Sequence, residues 1–98
     1  MKLQELDRAD LERRLRAAFG GEPGERRAVA RAAADLFDSM QYREDSGIDL
    51  TPEFVVAELE DAPWGPPSER WNWWMRVLEV AYGGYDQFTV RQWEVVEE

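Results

Sequence analysis

At 98 residues the chain is expected to form one domain, residues 1–98, because chains this short rarely divide into two cores. It has no cysteine and no histidine, which excludes disulfides, thiolate–imidazole metal sites, thiol nucleophiles and imidazole acid–base catalysis. The net charge is -9, from 21 acidic and 12 basic residues, and every basic residue except Lys2 is Arg.

An acidic surface poor in Lys is a habit of proteins from very salty cytoplasm, where salt screens self-repulsion. Arg-favouring codons in a GC-rich genome give the same composition. No apolar stretch approaches the ~18 residues of a membrane span. The start, Met1-Lys2-Leu3-Gln4-Glu5, is too charged for a signal peptide, so a cytoplasmic protein without membrane contact is expected. Five Trp and four Phe can supply the core, since each large aromatic buries roughly 150–250 Å².

The spacing predicts a first helix over residues 8–19. Asp7 is its N-cap, Leu6 and Leu11 bracket the first turn, and Gly20-Gly21 ends it. A second helix is expected over 24–40, with Pro23 at its opening and Val29, Ala32, Ala33, Leu36, Phe37 and Met40 on one face. A polar loop, 42–49, follows. Thr51-Pro52-Glu53 then starts a short third helix, with Thr51 as N-cap and Pro52 in the first helical position. That helix stops before Pro63, and the run 61–67, rich in Pro and Gly, reads as an ordered turn.

Ser68 is expected to cap a fourth helix that ends at Gly83-Gly84. Residues 85–96 alternate in a period-2 pattern rich in aromatic and β-branched side chains, which predicts a strand. Its partner would be residues 2–6, residues 47–50 or a second molecule. The fold expected is α+β but mainly α: about four helices around an aromatic C-terminal helix, with a C-terminal strand.

The fourth helix is apolar on two sides. At 100° per residue Trp71, Trp74, Met75, Leu78 and Tyr82 share one sector, and Trp73, Val77 and Val80 fall nearly opposite. Such a helix is either central to the monomer or packs its second face on a partner; a ligand cavity is the remaining option. Trp73, Val77, Val80 and the loop residue Trp64 are therefore the interaction candidates, with a homodimer or another protein as partner. The same Trp cluster could cage a quaternary ammonium group or stack bases, but a core role accounts for most of it. The run from Trp71 to Tyr85 is distinctive enough to be a family signature.

Charge is uneven along the chain. Residues 13–31 carry Arg13, Arg14, Arg16, Arg26, Arg27 and Arg31 against Glu22 and Glu25, while residues 35–69 carry ten acids and one Arg. The basic corner is a candidate anion or nucleic-acid contact; pairing with the protein's own acids is the simpler account. The acidic segment could in turn act as a decoy for basic surfaces, although salt adaptation explains the same residues. Asp45, Asp49 and Glu53 lie close in sequence, as a hard cation would require, yet they do not fit the EF-hand spacing. No metal or cofactor is expected. A carboxylate-based enzyme has no motif behind it, so the leading expectation is a non-catalytic accessory or regulatory protein acting by protein–protein contact. A nucleic-acid-associated protein is the alternative.

Overall fold

A computed structural model describes residues 5–93 of the chain. Its described residues form five α-helices and a terminal 3-10 turn: α1 (Arg8–Phe19), α2 (Pro23–Ser39), α3 (Gln41–Ser46), α4 (Pro52–Glu60), α5 (Pro67–Ala81) and the turn Asp86–Phe88. The architecture is mainly helical. α1 packs on α2 and α4, and α5 packs on the same two helices.

Local chemistry sets the helix ends. The Asp7 carboxylate accepts the Asp10 N–H at 3.0 Å and starts α1; Gly20, at φ 70°, stops it. Leu11 and Leu15 then point fully into the core. At the α1–α2 corner Gly21 has φ 83°, and a Cβ there would lie 2.7 Å from Pro67 Cδ. Only glycine lets this corner meet the start of α5. In α2, Ala30 and Ala33 are fully buried beside Val29 and Leu36, so the small side chains admit its neighbours closely. Thr51 accepts the Phe54 N–H at 3.1 Å and starts α4, as its sequence predicts.

Three expectations need correction. The segment expected to be a polar loop contains α3. Met40, at φ 62°, turns the chain between α2 and α3, the Ser39 hydroxyl accepts the Gln41 N–H at 3.1 Å, and Tyr42 is buried in the core. The aromatic anchor, not polarity, decides the conformation there. Ser68 is not the N-cap of α5 either. The helix opens two residues earlier, with Pro66 as N-cap, and the donors of Ser68 are satisfied by a carboxylate from α2.

The third correction is the C-terminal strand. Among the described residues no strand forms; 86–88 is a 3-10 turn, and 89–93 carries no regular structure. Residues 94–96 of the expected strand lie outside the described residues. The alternating pattern is real, but the chain here finds side chains rather than another strand to satisfy its backbone groups.

Candidate functional site

The tetrad Trp71-Asn72-Trp73-Trp74 lies on the first half of α5, and successive residues point in different directions. Trp71 is fully buried, and its indole N–H donates to the Phe88 carbonyl at 2.8 Å. Trp74 meets Trp71 edge-on at 5.5 Å between ring centroids and meets Tyr42 in the same way at 5.5 Å. Phe54 of α4 completes the cluster, 6.3 Å from Trp74. These edge-to-face contacts add directional energy to the buried area.

Asn72 reaches the C-terminal segment. Its amide N–H donates to the Val90 carbonyl at 2.7 Å, and its amide oxygen accepts the Val90 N–H at 2.7 Å. One side chain thus supplies both bonds that a neighbouring strand would have made. Glu79, two turns further along α5, accepts the N–H groups of Tyr85 at 2.7 Å, Asp86 at 2.9 Å and Gly84 at 3.2 Å. Those three donors hold its carboxyl below the ordinary range, with Tyr85 contributing most. Tyr85 is fully buried and donates its hydroxyl to Asp45 at 2.7 Å; burial, and then the Asp45 carboxylate, push the phenol up.

The outer face of α5 is different. Trp73 is half-buried against the core, Val77 is 44% exposed and Val80 is 89% exposed. Tyr82, expected on the inner face, is 48% exposed near the end of the helix. A helix wholly inside the monomer is therefore not what the chain builds. Trp64 is 73% exposed, and its turn is firmly held. The Arg70 side chain donates to the carbonyls of Gly65 at 2.6 Å, Leu59 at 3.1 Å and Ala62 at 3.4 Å. The Arg70 guanidinium also lies 4.5 Å above the Phe19 ring. The turn is thereby pre-organised, and Trp64 projects from it.

The six arginines of the basic corner do not converge. Arg13 and Arg14 pair with Asp10 at 3.1 and 2.9 Å, and Arg14 also approaches Glu53 at 3.7 Å. Arg26 turns back to the carbonyls of Gly20, at 3.1 Å, and Gly21, so it serves the α1–α2 corner. Arg16 is exposed near the end of α1. Arg27 and Arg31, one turn apart on α2, line an open hollow of about 370 Å³ with Trp93 and Gln92.

The carboxylates once grouped by sequence part company too: Asp45 receives Tyr85, Asp49 pairs with Arg43, and Glu53 faces Arg14. Among the described residues no group of three acids is placed to hold a metal ion. A second hollow of about 330 Å³ between α2 and α3 is lined by Leu36, Met40, Tyr42, Ile48 and Leu50.

Sequence patterning did not single out Glu25. It is only 3% exposed, and its carboxylate accepts both the N–H and the hydroxyl of Ser68, at 2.8 and 2.6 Å. It also accepts the Glu22 N–H at 3.3 Å, so one carboxylate serves the first turns of α2 and α5. The polar residue inside the aromatic run, Asn72, was the available signal for the α5 clamp. Nothing comparable marks Glu25.

A family model described as the WNWW domain matches residues 1–79. No curated protein and no solved structure matches the chain significantly.

Proposed function

The chain belongs to the WNWW domain family, and we propose that it is a small cytoplasmic accessory protein that works by binding another protein through the outer face of α5. The name of the family spells the tetrad at 71–74. Three of its members, Trp71, Asn72 and Trp74, are occupied inside the fold. Trp73 belongs to both surfaces, with part of its ring in the core and part on the stripe that includes Val77 and Val80.

The observation that carries this reading is Val80, 89% exposed on the same helix face as half-buried Trp73. Single exposed apolar residues are ordinary. A stripe at helical spacing, continued by an exposed Trp on a braced turn, is the composition of an interface centre rather than of open surface. A rigid aromatic anchor also loses little side-chain entropy on binding. Among the described residues the two well-buried polar side chains, Glu25 and Ser68, are bonded to each other, so neither is free for chemistry, in keeping with a non-catalytic role.

The test is a photo-crosslinking amino acid at position 80, with position 17 on exposed α1 as control, expressed in the native cell. A discrete adduct from position 80 that is absent from position 17 is expected. Equal or absent adducts at both positions would remove the reading.

A second reading rests on the hollow lined by Arg27, Arg31 and Trp93. Two guanidinium groups beside an exposed indole can receive a phosphate and stack a base. Under this reading single-stranded nucleic acid binds at low salt, and Arg27→Ala with Arg31→Ala removes the binding. No shift of any nucleic acid at low salt would dispose of it.

A further inference from the structure

The outer face of α5 also has a pattern in its charges. At 100° per residue Glu69, Trp73, Arg76 and Val80 fall within a sector of roughly 60°, and Val77 lies about 40° beyond Trp73. Glu69 stands four residues before Trp73, and Arg76 stands three residues after it. Both are exposed, and among the described residues neither forms an ion pair. Seven residues separate them on one helix, roughly 10 Å of rise, which is too far for them to neutralise each other.

The Trp64 turn extends the same face. Gly65 packs so closely on Glu69 that a Cβ on it would lie 3.2 Å from Glu69 Cβ, and its carbonyl accepts from Arg70 at 2.6 Å. Glu69 is the first residue of the stripe, and Gly65 lies against it, so the turn stands at the N-terminal end of the face. The face therefore reads, in order, Trp64–Gly65, Glu69, Trp73, Arg76, Val80. It is exposed and apolar at both ends, aromatic in the middle, and carries opposite charges at nearly equal offsets from the middle.

That order is self-complementary when reversed. We infer that the partner on this face is a second copy of the chain, its α5 antiparallel to the first, with the two-fold axis passing beside Trp73. In this register Glu69 of each copy meets Arg76 of the other, and the Trp64–Gly65 turn of each copy covers Val80 of the other. Each relation occurs twice, as an isologous contact requires. Parallel packing would instead set Glu69 against Glu69 and Arg76 against Arg76. The inference rests on the interaction reading above, and it names the partner and the geometry that reading leaves open.

The charges supply a test with three arms at low salt, read as dissociation constants by sedimentation. Wild type self-associates. Glu69→Arg alone places two Arg–Arg contacts in the dimer, and Arg76→Glu alone places two Glu–Glu contacts, so each weakens association at least about tenfold. An equimolar mixture of the two variants restores two opposite-charge contacts, and heterodimers return to wild-type strength. Val80→Asp, at a site too exposed to unfold the chain, abolishes association. A wild type that stays monomeric at every concentration overturns the second copy as partner. A dimer indifferent to the single swaps, or a mixture that fails to recover, overturns the register. The crosslinker at position 80 separates this failure from that of the interaction reading itself: an adduct with a different protein sinks only the second copy, whereas no adduct sinks both.

Discussion

Asn72 holds Val90 by two hydrogen bonds of 2.7 Å, one in each direction, between its side-chain amide and the backbone of Val90. The arrangement copies one rung of a β-ladder with a side chain in place of a strand. It explains how a segment with the alternation of a strand is ordered without one.

Replacing Asn72 with Ala leaves the buried Val90 N–H and C=O unpaired and is expected to cost about 2 kcal/mol. Denaturant unfolding reads the loss, and faster exchange of the Val90 amide locates it. Asn72→Asp keeps the acceptor but sets a carboxylate against the Val90 carbonyl, so it also destabilises. Unchanged exchange at Val90 in both variants would show that the clamp does not hold the segment.

Glu79 governs the neighbouring turn and makes stability depend on pH. Its folded carboxyl is lowered from the ordinary 4.5 by the N–H groups of Tyr85, Gly84 and Asp86. A depressed acid stabilises the fold fully above its unfolded pKa, and the contribution disappears as pH falls through the folded value. Glu79→Gln therefore lowers the melting temperature at pH 7, and the difference from wild type shrinks on acidification below pH 4.5. A difference that persists unchanged into strong acid would contradict the assignment.

Much of the helical layout was legible because caps and breakers act locally. Asp7, Thr51 and Gly20 each do what their residue types predict. The split of α5 into a core face and an outer face followed from spacing alone. Residues 85–93 predict a strand and form none because period-2 alternation reports a half-buried extended chain, not the identity of what pairs with it. α3 was missed because six residues give too little periodicity to see, and its anchor, Tyr42, is a single residue. The basic corner looked like one surface in sequence. In space three of its arginines, Arg13, Arg14 and Arg26, are turned to partners within the fold. The contacts of Glu25 and Arg70 join segments far apart in the chain, which no local pattern encodes.

The Glu25–Ser68 contact is one such long-range bond, and it ties the corner before α2 to the start of α5. Glu25→Ala strips the acceptor from both donors of a buried Ser68 and is expected to cost about 2–3 kcal/mol. Ser68→Ala removes only the hydroxyl and costs less, about 1 kcal/mol. An order reversed between the two variants would mean that the carboxylate does not hold the first turn of α5.

Ten acids between residues 35 and 69 lie against one Arg, and most of them are exposed. If this charge is a salt adaptation, screening relieves the repulsion and the melting temperature climbs from dilute to molar KCl. A flat response would contradict the adaptation and favour genomic composition as the origin of the Arg-for-Lys bias.

The outer face of α5 is expected to be covered when the protein works, and Trp64, on the turn at its N-terminal end, reports on it. Hydroxyl-radical oxidation of Trp64 can be ratioed to that of fully buried Trp71 in the same chain, first in dilute purified protein and then inside the native cell. The ratio is expected to be high in dilute solution and to fall severalfold in the cell. An equal ratio in both settings would mean that Trp64 faces water throughout, and the α5 interface would be contradicted.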